Sequence, residues 1–342
     1  MCPKLISIKK FVRFSMLHLI KKKNRKNSDL KMVENEVNET KYNRSKKYLT
    51  YLGFILVLVL ILDTYASNMM GVVNSLIGAD FLPSISDVER ASVLSLVSAF
   101  AQIGLFLSLL NQWLADKFGR KVLLLITVIG MGLASFLLIF ATNIVMYAIF
   151  FFFLNIFFYA DIHGLYRAEE APKDKRLLFI ALIGIFALFG NLLLPLMRGI
   201  FITETSPPSA WRGMTYLTII LSLILTPLII FTVKETSVYQ RLKDSNTREE
   251  EKKLSKSRIK LLFAPERKKE VLTLLAMTFI RAFLLAFYTL AEPFLASSPF
   301  LTQDDINIVI AFMSIGLLVG GLINMFVGDR YGRKPLLYLY SI

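Results

Sequence analysis

Asp63 and Arg281 are charged residues inside long runs of apolar residues. If these runs cross a bilayer, an ionised side chain near the centre costs about 2.5–3.5 kcal/mol by insertion scales, so each one is a functional hypothesis by default. A carboxylate can take up and release a proton, and a guanidinium can pair with a carboxylate or with an anionic substrate. The alternative for Asp63 is a carboxylate that faces an aqueous vestibule.

Neutral polar side chains in the same runs could line a cavity and hydrogen-bond the hydroxyls of a substrate. More often such groups form bonds between helices that contribute about 0.6 kcal/mol each. Asp161 and His163 lie near the end of an apolar run, which favours interfacial solvation over a proton relay. The candidate cavity residues are Gln102, Asn155, Asn191, Tyr288 and Asn324.

The elements that must position these residues are membrane-spanning helices. The chain has 342 residues, of which 55% are apolar. They cluster into runs of about 20 residues, the length that crosses ~30 Å of hydrocarbon as a helix. We therefore predict an all-α multi-pass membrane protein with about eight spans and the start of a ninth at Leu336. The predicted spans are 48–72, 92–114, 122–142, 144–163, 177–197, 213–233, 271–295 and 306–327.

Charge indicates the side of the membrane on which each loop lies. Most of the 40 Lys and Arg residues lie in the N-terminal tail and in alternate loops, near residues 117, 170, 250 and 331. Because Lys and Arg accumulate in cytoplasmic loops, this pattern predicts a protein of the cell membrane with a cytoplasmic N-terminus. The polar, charged tail 1–47 is expected to be disordered.

A charged loop occurs twice, after the second predicted span and after the eighth. Residues 116–121 read DKFGRK and residues 329–334 read DRYGRK. Glycine supplies the φ > 0 geometry that a short reversal needs, and the charged residues can pair with each other and with helix ends. An ordinary charged turn accounts for one copy, but two copies at equivalent places indicate an internal repeat. The candidate residues are Asp116, Gly119, Arg120, Lys121, Asp329, Gly332, Arg333 and Lys334.

This repeat resembles the loop motif of the major facilitator superfamily, although Gln112 and Met325 stand where the family usually has glycine. The resemblance covers residues 48–342. It implies two six-helix halves related by pseudo-symmetry, with a substrate site at their interface near the midplane. The chain then resembles a C-terminally truncated member. The implied parts are a six-helix N-terminal bundle (48–233), a charged cytoplasmic linker (234–270) and a partial C-terminal bundle (271–342).

A second motif narrows the resemblance. Residues 166–176, YRAEEAPKDKR, fit Y-x-x-E-x-x-P-x-x-x-R, with Glu169 and Arg176 as charged members. This looks like the corresponding loop of sugar porters and related metabolite–proton symporters. A drug–proton antiporter is the alternative, because the fifth span carries part of the superfamily's antiporter motif, with two of its glycines replaced. The matching residues are Gly190, Pro195 and Gly199.

The resemblance also suggests a role for Asp63. Asp63 and its neighbours are similar to the first-helix aspartate that binds the coupling proton in proton-linked members. Its partner there is often an arginine on the fourth helix, but this chain has none until Arg167, at the cytoplasmic end. We expect Arg281 to be the partner, since the first and seventh helices of the family face one another across the cavity, and Arg198 is the other candidate. Alternatively, Arg281 binds an anionic substrate.

These observations predict a secondary transporter that moves a small polar metabolite, a sugar or an organic acid, with protons by alternating access. Its partners would be the substrate, protons and the lipid bilayer, with no nucleic acid and no cofactor. An enzyme is not expected, because no nucleophile–base pair, nucleotide-binding loop or metal cluster is found. The alternative outside transport is a membrane sensor or a truncated remnant, because spans ten to twelve are missing.

Overall fold

In the computed structural model, all the regular structure of the described residues is helical. Those residues are 44–158, 161–172, 176–244, 269, 271–273, 276 and 291–331. The helices are α1 (Lys46–Asn68), α2 (Asn74–Phe81), α3 (Asp87–Phe118), α4 (Arg120–Ile139), α5 (Ile144–Phe158), α6 (Ile162–Glu170), α7 (Arg176–Ala187), α8 (Phe189–Phe201), α9 (Met214–Thr232), α10 (Ser237–Asp244) and α11 (Gln303–Tyr331). Short 3₁₀ turns lie at Gly71–Val73 and Pro208–Gly213, and residues 291–296 are also helical.

Local sequence sets several helix ends. The Ser45 hydroxyl accepts a hydrogen bond from the Tyr48 amide at 3.2 Å and caps α1. Ser86 and Glu89 form a reciprocal capping box at the start of α3, which satisfies amides that no helical carbonyl can reach. Between α3 and α4, Gly119 has φ 106° and ψ 154°, a conformation that L side chains rarely adopt. The first copy of the repeated loop therefore reverses the chain at its glycine, as predicted.

The helix α4 is apolar on both of its faces. One face packs into the protein and the other is exposed, and each repeats at the spacing of a helix. A helix that is hydrophobic all round belongs in a large core or in a membrane, with lipid against its outer face. The buried face includes Leu124, Val128, Met131 and Leu138, and the exposed face includes Val122, Ile126, Ile129, Leu133 and Phe136.

Among the described residues, six helical stretches are long and apolar enough to cross a bilayer, and each overlaps a predicted span. They are Lys46–Asn68, Arg120–Ile139, Ile144–Glu170, Phe179–Phe201, Pro208–Thr232 and Gln303–Ile323. The predicted span 92–114 lies within α3, although the side chains of residues 105–110 and 112 are outside the described part. Most of the predicted span 271–295 and the ninth span from Leu336 also lie outside the described residues.

The fourth span is not the single helix that was predicted over residues 144–163. It consists of α5 and α6 and extends to Glu170. Between the two helices, Asp161 adopts the left-handed conformation, with φ 46° and ψ 29°. Aspartate tolerates this region better than most residues because its short side chain can bond locally. The break places a carboxylate where an unbroken helix would have continued.

The fifth span, predicted as one helix over residues 177–197, is also divided. It is split at Leu188 into α7 and α8. The amides of Leu188 and Asn191 each bond to a carbonyl three residues earlier, which is a tighter turn than the α-helix. Pro195 follows within α8, and because it has no amide it removes one helical hydrogen bond nearby.

The helix α1 occupies the centre of the N-terminal bundle. It contacts α5, α6, α7, α8 and α9, whereas α4 packs mainly against α9 and α5. The helix α11 packs against α8 and α7 and so joins the C-terminal part to the bundle. The large buried side chains of α1, including Leu56 and Tyr65, make up much of the core. A polar group on α1 is therefore surrounded by several helices.

Candidate functional site

The carboxylate of Asp63, on α1, faces the imidazole of His163, on α6. Its Oδ2 atom is 3.9 Å from Nε2 of His163. The other ring nitrogen, Nδ1, is 3.4 Å from Oδ1 of Asp161. The imidazole thus stands between two carboxylates, one from the central helix and one from the break in the fourth span.

Arg167 adds a positive charge to this cluster. Its Nη2 atom is 3.9 Å from Oδ1 of Asp161, so imidazole and guanidinium share one carboxylate. Its Nε atom is buried without a hydrogen-bond partner. A side chain at Gly184 of α7 would begin 3.9 Å from Nη1, so glycine leaves space beside the guanidinium. The arginine predicted at the cytoplasmic end of span four therefore reaches the group that contains Asp63.

The imidazole and the two carboxylates differ in the exposed fraction of their side chains. The side chain of His163 is 9% exposed, that of Asp63 is 22% exposed and that of Asp161 is 62% exposed. Ionisable groups within membrane segments almost always face the bundle interior or a water-filled cavity instead of lipid. Asp161 is therefore the member of the cluster that is most accessible to solvent. Neither these side chains nor any others in the described part are grouped so as to hold a metal ion.

Arg281, the predicted partner of Asp63, lies outside the described residues. The pairing therefore stays a prediction. Arg198, the other candidate, is on α8 and contacts a different set of residues, described next.

Arg198 joins the N-terminal bundle to the C-terminal part at the predicted outer ends of the helices. Its guanidinium is fully buried, with 0% exposure. Nε donates to the carbonyl of Val72 at 2.8 Å and Nη2 donates to Oε1 of Gln303 at 2.9 Å. Nη2 also lies 3.4 Å from Oε1 of Glu292, and Nη1 donates to Oδ1 of Asn307. The side chain therefore links the N-terminal bundle to the residues around α11.

Glu292 completes this contact from the C-terminal side. Its side chain is 2% exposed, and its Oε2 accepts a hydrogen bond from the Ser75 amide at 3.0 Å. Its Oε1 also accepts from the Ser75 hydroxyl. A buried ion pair is stable only when further hydrogen bonds satisfy both partners, as they do here. We call the contact of Arg198 and Glu292 the outer latch, because it holds the two halves together on the predicted outer side.

The first copy of the repeated loop forms a charged network at the opposite end. Nη2 of Arg120 lies 2.9 Å from Oδ1 of Asp116 and 3.1 Å from Oε1 of Glu169. Glu235 accepts hydrogen bonds from the amides of Arg120 and Lys121, at 2.9 and 3.2 Å, at the start of α4. A carboxylate is favoured at a helix N-terminus because the free amides point at it. The motif residues thus tie α3, α4 and α6 to the segment after α9.

The loop after the fourth span meets the same segment. The hydroxyl of Tyr166 donates to the carbonyl of Lys234 at 3.0 Å, and Glu169 accepts from the Thr236 hydroxyl. Arg176 donates to the carbonyl of Ala168 at 2.8 Å. The two sequence motifs therefore converge on one contact region at the predicted cytoplasmic face.

The second copy of the repeated loop falls largely outside the described part. Asp329 lies on α11, with its side chain outside the described part. Gly332, Arg333 and Lys334 are outside it altogether. Their predicted role, to open and close the cytoplasmic side as part of the repeated loop, stays a prediction.

The predicted cavity residues have different surroundings. Gln102 is exposed on α3. The side-chain Nδ2 of Asn155 donates to the carbonyl of Phe151 in its own helix at 2.8 Å. Oδ1 of Asn191 accepts a hydrogen bond from the side-chain Nδ2 of Asn68 at 3.2 Å. The bond of Asn191 joins α8 to α1 and is of the kind expected as the alternative to substrate contacts, whereas the bond of Asn155 stays within α5. Tyr288 and the side chain of Asn324 lie outside the described residues.

Sequence reasoning did not identify the contacts that organise both polar regions. The position of His163 near the end of an apolar run favours interfacial solvation, but its ring is buried and lies beside Asp63. The pairing of Arg198 with Glu292 was not anticipated. The one usable signal was the presence of ionisable residues inside or beside apolar runs, which marks a residue but not its partner.

Comparison with known proteins gives a family match and several similar folds. The model described as Major Facilitator Superfamily matches residues 54–342. A crystal structure of a D-xylose-proton symporter is similar with a TM-score of 0.64 and 17% identity, over 83% of this chain and 70% of that chain. The xylose transporter XylE from E. coli, in a partially occluded inward open conformation, is similar with a TM-score of 0.63 and 18% identity, over 84% and 75% of the two chains. No curated protein matches the chain by sequence.

Proposed function

The chain belongs to the major facilitator superfamily, and on that basis we propose that it is a secondary transporter that moves a small polar metabolite with protons by alternating access. The observation that carries this proposal is the surroundings of Asp63. Its carboxylate lies on the central helix of the bundle, beside the imidazole of His163 and near the exposed carboxylate of Asp161. Such a group can change its charge during a transport cycle.

Proton coupling accounts for a carboxylate at this depth better than a structural role does. An ionised carboxylate in an apolar span is costly, and binding a proton removes that cost. If the substrate binds best when Asp63 is neutral, uptake of one proton is linked to uptake of one substrate. The direction of transport is then set by the proton gradient.

Alternating access requires the contacts at the two ends to break in turn. On the outer side, the outer latch closes the molecule with a buried ion pair between its halves. Opening to the outside must separate Arg198 from Glu292 and hydrate both. On the cytoplasmic side, the network around Arg120 is proposed to meet the second copy of the repeated loop when that side closes.

A sugar is the proposed substrate, with D-xylose as the first compound to test. Two of the similar folds belong to xylose transporters, and the loop over residues 166–176 fits the sugar-porter motif. An organic acid is the other metabolite class, and a cavity that contains Arg281 would favour it.

The proposed location is the cell membrane, with a cytoplasmic N-terminus. The concentration of Lys and Arg in the tail and in alternate loops supports this orientation. Arg44, at the end of the tail, pairs with Glu170 at 3.3 Å and donates to the carbonyl of Glu235 at 2.6 Å. These contacts keep the start of α1 on the same side as the charged network.

The proposal can be tested with the purified chain in liposomes. D-xylose, D-glucose and lactate are each offered with and without an inward proton gradient, and both solute uptake and external pH are recorded. We expect accumulation of one of them to depend on the gradient, to raise external pH and to stop with a protonophore. Accumulation that ignores the gradient for every compound contradicts proton coupling. Gradient-driven export of ethidium without uptake of any of the three would indicate a drug–proton antiporter.

A further inference from the structure

The imidazole of His163 has a different carboxylate at each of its two nitrogens. Nε2 faces Asp63, at 3.9 Å, and Nδ1 faces Asp161, at 3.4 Å. An imidazole can accept a proton at one nitrogen and release another proton from the other. The ring therefore lies between Asp63 and Asp161, two acids that share no hydrogen bond with each other.

The break in the fourth span positions Asp161 for this contact. In its left-handed conformation, Asp161 accepts a hydrogen bond at its main-chain carbonyl from the Gly164 amide, at 3.0 Å. A Cβ at Gly164 would lie 2.5 Å from Oδ1 of Asp161, so any larger residue there would displace the carboxylate. Glycine at this position thus makes room for the acid beside the imidazole.

The different exposure of the Asp63, His163 and Asp161 side chains indicates the end of the cluster from which a proton can leave. The ring of His163 is nearly buried, whereas the Asp161 side chain is the most exposed of the three. Asp161 lies at the start of α6, whose far end, Glu170, pairs with Arg44 in the predicted cytoplasmic region. The outer latch closes the opposite end of the molecule. In the proposed orientation α6 runs from Asp161 towards the cytoplasmic side, so we take water on that side as the acceptor of the proton.

The charged surroundings of the ring are simple. In the part of the chain that the structure describes, the carboxylates within 4 Å of its nitrogens are those of Asp63 from α1 and Asp161 from the start of α6. Arg167, one turn further along α6, contacts Asp161. The helices α3, α4, α7 and α10 also pack against α6, and no ion pair from them to the ring is found among the described residues.

We propose that His163 carries the coupling proton from Asp63 to Asp161, from which it leaves to water on the cytoplasmic side. This deepens the proposed proton-coupled function and rests on it. The neutral ring starts with its proton on Nδ1. The protonated carboxyl of Asp63 gives its proton to Nε2 through one bridging water, since the two atoms are 3.9 Å apart, and the Nδ1 proton passes to the Asp161 carboxylate and then to water. One proton moves in total, and a ring flip or proton exchange restores the starting tautomer.

The state of the ring can be read without knowing the substrate. The chain has two histidines, so the H18Q variant leaves His163 as the single one. With ¹⁵N-labelled histidine in lipid, we expect the neutral ring to carry its proton mainly on Nδ1. Adding D161N should change the Nδ1 signal, and adding D63N should change the Nε2 signal. Identical spectra for H18Q and both double variants would overturn the relay.

The transport consequence is tested with H163Q, and H18Q is the matched control at the other histidine. The measure is gradient-driven accumulation of D-xylose, or of whichever of D-glucose and lactate raises external pH, divided by its exchange without a gradient. General acid–base groups typically contribute ~10²–10⁴-fold to a proton transfer, so we expect this ratio to fall at least about tenfold in H163Q. D161N should lower it in the same direction, and H18Q should match the wild type.

The outcomes separate the two proposals. A wild-type protein that moves no protons with any of the three compounds refutes the proposed function, and the relay with it. A wild-type protein that couples, together with H163Q and D161N variants that keep the full ratio, refutes only the relay. If H163Q is poorly inserted, D161N and the labelled-histidine spectra decide the question.

Discussion

A carboxylate inside a membrane helix serves coupling only if it can lose its charge. The Asp63→Asn variant keeps the shape of the side chain but binds no coupling proton. We expect accumulation of D-xylose against its gradient to be abolished, while exchange across the membrane without a proton gradient remains measurable. Liposome uptake with and without a pH gradient checks this. Accumulation at the wild-type level would show that the coupling proton binds elsewhere.

The proposed pairing of Asp63 with Arg281 is also decided at the scale of single residues. Removing one partner of a buried pair leaves an uncompensated charge and costs about 3–5 kcal/mol, so Arg281→Ala should strongly lower the abundance of inserted protein. The double variant with Asp63→Asn should recover part of that loss, because neither charge is then stranded. The measurement is a double-mutant cycle on abundance and uptake. Strictly additive defects would reject the pair and leave His163 and Asp161 as the neighbours of Asp63.

At the scale of elements, the reversal between α3 and α4 depends on one glycine. Gly119 has φ 106°, and a Cβ there would lie 2.3 Å from Oε2 of Glu235. Gly119→Val should therefore strain the backbone by about 1–3 kcal/mol and expel Glu235 from the start of α4. We expect lower thermal stability and loss of uptake.

The matched control for that variant is Gly199→Val. Gly199 lies on α8, and a Cβ there meets no atom within 4 Å. The thermal stability of the detergent-purified variants gives the comparison. Equal stability of the two variants would show that the loop tolerates a side chain at its turn.

The divided spans are a second feature of the elements. Both breaks lie in runs that are apolar enough to be predicted as continuous helices, and the break in the fourth span carries Asp161. Discontinuous helices expose backbone and polar groups at membrane depth, where transporters build ion and substrate sites. The interruption of a predicted helix is therefore more informative here than its presence.

For the whole molecule, the outer latch should hold the outside closed. The chain has one cysteine, so Cys2→Ser gives a background for labelling. Met313 lines a small pocket beside Glu292, and a cysteine there should be protected from an impermeant maleimide added outside. Arg198→Gln together with Glu292→Gln removes the ionic attraction without stranding a charge, and labelling should rise about fivefold or more, the lower end of typical coupling effects.

A cysteine at Thr205, which is exposed in the outer loop, is the control for reagent access. It should be labelled equally in the parent and in the double glutamine variant. Unchanged protection at residue 313 in that variant would mean that apolar packing, and not the latch, closes the outer side.

The orientation of the whole chain gives another prediction. Tags at residue 20 and near residue 250 should be cytoplasmic, and a tag near Ser84 should be external, because the Lys and Arg residues concentrate on one side. Labelling of intact cells with an impermeant reagent is the measurement. Protection of the tag near Ser84 would refute the orientation.

The sequence by itself determined the features that depend on local composition. Apolar runs long enough to cross hydrocarbon predicted the membrane helices, and the motif glycine predicted the turn at Gly119, because hydrophobic length and φ > 0 are properties of short segments. The repeated loop predicted the family that the match over residues 54–342 shows. These inferences needed no knowledge of which helices touch.

Only the tertiary structure decided which ionisable groups meet. Asp63 and His163, or Arg198 and Glu292, come from segments far apart in the chain. The periodicity of a helix indicates which of its faces is polar, but it does not indicate which other helix packs against that face, so the sequence cannot assign the partner. The left-handed turn at Asp161 likewise depends on contacts around a broken span. Partner choice is therefore a property of packing, and packing turns separate charges into the candidate site.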